Sequence, residues 1–334
     1  MRAIVVTRLG GPEVLTPAEA PLPLPGPGEV RVALRAIGVN FAETERRRGV
    51  YARPALPWIP GNEGAGVVDA LGAGADPALL GARVAFWAPR TSGTYATHAT
   101  VAAEEVLQFP AELPFAQMAA LPLQGLTAWG VVHLAAKVSR GQTVLLHAAA
   151  GGVGRLALQL CLRAGARVFG TGSIEAKRAE IERLGGVALP SLPGGDDLAG
   201  RVRALTAGRG VDVVLDSVGR DSRDVGLAAL APFGALIFFG EASGAPAPIL
   251  VEELYARSVR VGAFGLDTAA APAAFQGARA SLAAALCDGA LSVASGAVYA
   301  LEDAAEAHRA LEGRSAIGKL ILDPLAPSPA IPAA

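Results

Sequence analysis

Val144-Leu145-Leu146-His147-Ala148-Ala149-Ala150-Gly151-Gly152-Val153-Gly154 joins a strongly apolar run to two adjacent glycines and then to an amphipathic helix pattern. Such a run reads as a strand, a tight turn and a helix N-terminus, the arrangement that holds a dinucleotide pyrophosphate. Gly151 permits close approach of the backbone to the phosphates, and Gly154 lets the helix pack near the strand. The N–H groups of the first helical turn have no partner within the helix and supply donors for negative charge. Ala149 stands where the first glycine of the fingerprint usually sits, so the same residues also read as a glycine-rich strand–helix turn of some other α/β protein.

The surrounding chain supports the nucleotide reading. Strands are expected at Thr143–His147, Arg167–Gly170, Val187–Leu189, Val211–Asp216 and Ala235–Phe239, with helices between them. Apolar residues fill successive positions of these strands, which predicts a parallel sheet covered on both faces. The N-terminal region differs. It alternates strands (Glu29–Ala36, Gly64–Gly72, Arg83–Trp87, Gly93–Thr100) with proline- and glycine-rich connections, and Asn40 to Arg48 reads as a loop leading into a short polar helix. A helix is expected over Phe115–Ala136, interrupted around Pro122 and Gly125. Further on, Val259–Phe264 reads as a strand and Lys319–Leu322 as a final one.

The chain has 334 residues, enough for two ordinary domains, and is 52% hydrophobic, enough to fill their cores. A formal net charge of −1 argues against a broad nucleic-acid face. No apolar run has membrane-spanning length and no signal peptide is evident, so neither membrane nor nucleic acid is an expected partner and a cytoplasmic location is expected. Cys161 and Cys287 lack metal-ligand or redox spacing and read as small apolar side chains. His98, His133 and His308 form no cluster, and no metal site is expected.

The second strand of a dinucleotide fold discriminates between the two nicotinamide coenzymes. NAD sites end it with an acidic residue for the ribose diol. Here it runs into Thr171-Gly172-Ser173, with Lys177 and Arg178 close behind. A hydroxyl and a cation favour a 2′-phosphate, so NADPH is the expected coenzyme, through Ser173 and Lys177. Glu175 opposes this, and Lys177 and Arg178 alternatively read as solvated helix charges. Asp216-Ser217-Val218-Gly219 and Gly240 follow later strands, where a parallel sheet collects its ligand loops.

Taken in order, several segments resemble the medium-chain dehydrogenase/reductase superfamily, in its zinc-independent quinone oxidoreductase branch. These are Gly38-Val39-Asn40-Phe41, Ile59-Pro60-Gly61-Asn62-Glu63-Gly64-Ala65-Gly66, Leu123-Gln124-Gly125-Leu126-Thr127-Ala128, the Ala-Ala-Ala-Gly-Gly-Val-Gly turn, Asp216-Ser217-Val218-Gly219 and Gly318-Lys319-Leu320. The resemblance implies an α/β protein in which a GroES-like β-rich catalytic domain (1–124 and 266–334) carries an inserted Rossmann coenzyme domain (125–265). It also implies a homodimer formed through the edge strand Val259–Phe264. Zinc-dependent relatives place cysteine at the position of Asn40 and histidine at that of Asn62, so a zinc mechanism is not expected.

The resemblance further implies NADPH contacts from Asn40, Thr127, Ala150, Gly151, Gly152, Val153, Gly154, Ser173, Lys177, Ser217, Val218, Gly240, Phe264, Arg314 and Lys319. Asn40, Tyr51, Asn62 and Thr127 are the candidate catalytic residues. Asn40 orients nicotinamide or acceptor, or else stabilises its loop. Thr127 bonds near the nicotinamide, or is a helix-start hydroxyl. Tyr51 closes over the acceptor, and Arg47 lies in the same loop unless, like Arg314, it is a surface charge. Glu63 reads as structural. This chain departs from the family at Glu43 and Glu45, where Asp and Tyr are common, and at Ser191, where an aromatic coenzyme contact is common. The expected reaction is hydride transfer from NADPH to a quinone or related enone. The alternatives are an enoyl-thioester or alkenal reductase of the same fold, and a nonenzymatic dinucleotide-binding interaction protein.

Overall fold

The computed structural model describes residues 1–50, 53–88, 91, 93–191, 197–314 and 316–327. Its strands are β1 (Arg2–Val5), β2 (Thr16–Glu19), β3 (Glu29–Gly38), β4 (Glu63–Leu71), β5 (Arg83–Trp87), β6 (His98–Ala102), β7 (Val106–Gln108), β8 (Thr143–Leu146), β9 (Arg167–Gly172), β10 (Val187–Pro190), β11 (Val211–Asp216), β12 (Leu230–Phe238), β13 (Arg260–Ala263), β14 (Ser295–Ala300) and β15 (Lys319–Asp323). Its helices are α1 (Phe41–Arg48), α2 (Phe115–Ala119), α3 (Pro122–Trp129), α4 (Gly152–Arg163), α5 (Glu175–Arg183), α6 (Leu198–Leu205), α7 (Arg223–Ala229), α8 (Val251–Tyr255), α9 (Pro272–Cys287) and α10 (Ala304–Glu312). The chain divides into two compact units: Met1–Leu123 with Arg279–Ala334, and Gln124–Ala278.

The first unit is β-rich. Strand β3 buries Val30, Val32, Leu34 and Ala36, every second residue, which is the half-buried period of a sheet with one covered face. It is the hub of a seven-stranded sheet, pairing antiparallel with β4, β6 and β15. The β15 pairing sets Ile321 opposite Gly38, so the two ends of the unit's sequence share one sheet. Its core gathers Ile4, Val32, Ile37, Phe86, Tyr95 and Leu322. The expected strand from Gly93 begins only at His98. Before it, Gly93, with a φ of 91°, packs against the Ile59 backbone, a turn that no alternating pattern announces.

The second unit is a six-stranded parallel sheet in the order β10-β9-β8-β11-β12-β13. Counted within the unit, this is 3-2-1-4-5-6, the doubly wound order whose direction reverses between β8 and β11. Helix α4 buries Leu156, Leu158, Leu160 and Cys161. Leu145, Phe169, Val202, Val214 and Leu236 centre a core layer of the unit. Helix α3 runs through Gly125 without a break and widens after it: Ala136 N donates to Val131 O, five residues back, at 2.9 Å. The widening begins at Gly130, where a Cβ would overlap the ring of Phe264. Among the described residues no helix is long and apolar enough to cross a membrane.

Candidate active site

The candidate residues fall into two groups, one in each unit. In the second unit the sheet's reversal point lies at the turn after β8. Thr171, buried at the end of β9, fixes that turn twice: its backbone O accepts from Ala149 N at 3.1 Å and its Oγ1 accepts from Ala148 N at 3.0 Å. Ala148 is thereby held at a φ of 51°, a left-handed conformation that costs an alanine roughly 1–2 kcal/mol. Gly154 has no room for a side chain, because a Cβ there would overlap Ala148 O and lie 2.9 Å from Ala149 Cα. Gly151, by contrast, has only Ala148 O at 3.2 Å near such a Cβ, so the turn is open above it. The ladder of α4 begins with Arg155 N donating to Gly151 O at 2.9 Å. Among the described residues the N–H groups of Gly152, Val153 and Gly154 have no acceptor, which leaves a row of donors at the positive end of a three-turn helix.

The neighbouring loops are built to match. Buried Asp216 accepts from Val218 N at 2.7 Å and Gly219 N at 3.1 Å, and both its oxygens take the Ser222 hydroxyl. These bonds fix the path of Ser217 and Val218, both half-buried. A Cβ at Gly240 would lie 3.1 Å from Ser217 O, so the two loops pack closely there. His147 is buried beside this carboxylate; burial lowers its pKa against the pull of Asp216, and its Nε2 has no partner. Beyond β9, Ser173 is exposed and Lys177 is half-buried, its pKa lowered by desolvation. Arg178 is committed elsewhere: it donates to Glu175 at 2.7 Å and 3.2 Å and to Gly172 O at 3.3 Å. The carboxylate that would oppose a phosphate is thus paired. Thr127 is half-buried within α3, and Phe264 packs its ring on Gly130.

In the first unit Asn40, Glu43, Asn62, Glu63 and Lys319 converge. Asn40 is the N-cap of α1, and Glu43, three residues on, accepts its N–H at 2.6 Å, the returning arm of a capping box. Glu63 opens β4 and Lys319 opens β15. Both side chains are fully buried and paired, and Gly38 lies between their strands with no space for a Cβ. Lys319 Nζ donates to both Asn40 Oδ1 and Glu63 Oε2. Asn40 Nδ2 donates to Glu63 at 3.1 Å and to Glu43 at 3.4 Å, and Glu63 Oε1 accepts from Leu123 N at 2.7 Å. With its amide oriented to pair both ends, Asn62 donates to Glu43 at 3.2 Å and accepts from Trp87 Nε1 at 3.2 Å. Burial pushes the Glu43 carboxyl up to about 7, helped by Glu63 and opposed by Lys319 and the Asn40 bonds.

Three expectations change. Arg47 is neither a surface charge nor a free cation: it is fully buried, donating to Glu312 at 2.5 Å and to Gly10 O at 3.2 Å and meeting His308 Nδ1 at 3.1 Å. His308 in turn meets the Tyr95 hydroxyl at 2.9 Å, and burial beside Arg47 drops its pKa to about 3. Lys319 spends its ammonium on a buried carboxylate and an amide. Asn62 is tied at both ends of its amide. Arg314 is exposed, at a φ of 57°; Tyr51 lies outside the described residues. Sequence reading passed over Thr171 and gave Glu43 only as a departure. An Asn followed three residues later by Glu at a helix start was the signal for Glu43; the cross-sheet role of Thr171 had none. Among the described residues no group of three or more His, Cys, Asp or Glu side chains is arranged to hold a metal.

Comparison with known proteins agrees with this architecture. Residues 26–111 match the alcohol dehydrogenase GroES-like domain and residues 152–283 the zinc-binding dehydrogenase family. A quinone oxidoreductase of Pseudomonas aeruginosa is 36% identical over 321 residues, covering 94% of this chain and 97% of the relative. A 2-haloacrylate reductase of a Burkholderia species is 35% identical over 341 residues, covering 97% and 99%. The mycobacterial protein Rv1454c, solved as a complex with NADPH, superposes with a TM-score of 0.90 at 38% identity, covering 97% and 100%. The chain belongs to the medium-chain dehydrogenase/reductase superfamily, in its zinc-independent quinone-oxidoreductase-like family.

Proposed function

We propose that the chain is an NADPH-dependent reductase of quinones and related enones that works without zinc. The observation that carries this reading is the row of acceptor-less N–H groups at Gly152, Val153 and Gly154, set at the sheet's reversal point above a turn that Gly151 leaves open. A pyrophosphate fits that row in charge and in hydrogen-bonding sense. Ser173 and Lys177 take the 2′-phosphate, with Glu175 neutralised by Arg178. Ser217, Val218 and Gly240 line the path of the nucleotide, and Phe264 and Thr127 flank its nicotinamide end. Bound NADPH supplies the hydride.

Asn40 has a narrower role than its amide allows in isolation. Both its N–H bonds go to carboxylates and its oxygen already accepts from Lys319, so only one lone pair on Oδ1 is left. Asn40 therefore orients a donor, such as a carboxamide N–H, and does not polarise the acceptor's carbonyl. Asn62 is spent in the same way and supports Asn40 through Glu43. Quinones are electrophilic enough to need no further Lewis acid, and their reduced oxygens draw protons from water.

The kinship with a 2-haloacrylate reductase supports a second acceptor class, activated alkenes. Dimerisation through β13 is proposed from its place at the edge of the six-stranded sheet; exposed Leu250, Val251 and Tyr255 precede it in the chain. Two free cysteines fit a reducing, cytoplasmic setting. The test is NADPH oxidation against quinones, enones and enoyl-thioesters, with NADH and a chelator as controls. Chelator-insensitive quinone turnover that prefers NADPH is expected. Activity confined to alkenes transfers the assignment to that class, and silence across the panel removes the enzymatic reading.

A further inference from the structure

We propose that Gln124 positions the coenzyme by donating its side-chain amide to the pyrophosphate at the start of α4, beside the free backbone donors there. The inference rests on the NADPH reading of that turn. Gln124 is the third residue of α3 and is half-buried. Its amide lies directly against Gly152, the first residue of α4: a Cβ on Gly152 would overlap the Gln124 amide carbon, nitrogen and oxygen. A side chain at Gly152 would displace the end of Gln124, whereas a Cβ on Gly151 would meet only Ala148 O, at 3.2 Å.

Among the described residues the Gln124 amide makes no hydrogen bond, although it carries two N–H donors and an acceptor. An amide that lies against a helix start and is unspent in hydrogen bonding is available to a ligand there. It lies against the residue whose own N–H lacks an acceptor, at the positive end of a helix. The amide's nitrogen and oxygen exchange places by a half-turn about its last bond, so the nitrogen reaches an incoming anion without movement of α3. A diphosphate is the ligand this charge pattern selects. Gln124 adds a side-chain donor to a set otherwise made of backbone groups, which substitution can therefore remove.

The test is direct NADPH binding by titration calorimetry on the full chain, without turnover, for Gln124→Met, Gln124→Glu and Gln124→Lys. Adenosine 2′-monophosphate, which lacks the pyrophosphate, is the companion ligand. Loss of one hydrogen bond to a charged group should weaken NADPH about tenfold in Gln124→Met. Gln124→Glu should weaken it further, and Gln124→Lys should bind at least as tightly as the parent. Adenosine 2′-monophosphate should bind all four proteins alike. The proposal is overturned if Gln124→Met and Gln124→Glu bind NADPH within twofold of the parent, or if the two ligands weaken together, which is the mark of a packing role. Failure of the parent protein to bind NADPH overturns the coenzyme reading itself.

Discussion

Lys319 shows how much one side chain is asked to do. Among the described residues its ammonium is the one cation bonded to Glu63, and both groups are sealed from solvent. A buried pair of this kind adds little net stability over an apolar pair, but loss of one partner strands the other. Lys319→Met should therefore cost about 3–5 kcal/mol in urea denaturation, and a compensating Glu63→Gln in the same chain should recover part of it. If Lys319→Met were neutral, the ammonium would not be what holds the carboxylate. The sequence made Lys319 visible only as part of a terminal Gly-Lys-Leu segment resembling family members. Its partner Glu63 was not legible, because it lies 256 positions away and comes near only through the pairing of β3 with β15 and with β4. Asn40 stood out in the sequence as a candidate, but which of its atoms are spent depends on Glu63 and Lys319, brought in from β4 and β15.

The turn between β8 and α4 is the element on which the functional reading stands. Two neighbouring small residues in it should respond oppositely to a single methyl group. Ala148, at a φ of 51°, gains from becoming glycine: Ala148→Gly should leave stability unchanged or raise it by up to about 1 kcal/mol, with NADPH binding retained. Gly154→Ala adds a methyl that overlaps the Ala148 carbonyl and should lower the thermal midpoint and NADPH affinity together. Equal behaviour of the two variants in thermal unfolding would contradict this geometry. The parallel strands of the second unit were the most legible part of the fold, since runs such as Val213-Val214-Leu215 are apolar on successive positions. The widened end of α3 was not legible. Gly125 looked like the weak point, whereas the helix departs from its ladder at Gly130, for the sake of a ring 134 positions away.

For the molecule as a whole, pH acts through buried groups of opposite sign, Glu43 and His308 among them. Glu43 has its carboxyl raised from 4.5 to about 7, so the folded chain holds a proton that the unfolded chain releases, and stability falls as pH rises through that window. His308 has its imidazole lowered from 6.5 to about 3, so the unfolded chain takes up a proton that the folded chain refuses, and stability falls as pH drops through that window. Between about 4.5 and 6.5 the two slopes oppose each other. Glu43→Gln should uncover the histidine, giving stability that climbs more steeply with pH in urea denaturation from pH 4.5 to 6.5, with a difference of about 2 kcal/mol across it. An unchanged slope would mean that Glu43 titrates normally. The junction of β3 with β15 has another consequence, for biosynthesis. A ribosome releases residues 124–278, a unit with its own sheet and core, before it has made the strand that β3 awaits. Until Lys319 emerges, Glu63 has no ammonium to neutralise it, so the nascent first unit has reason to stay open while the second closes.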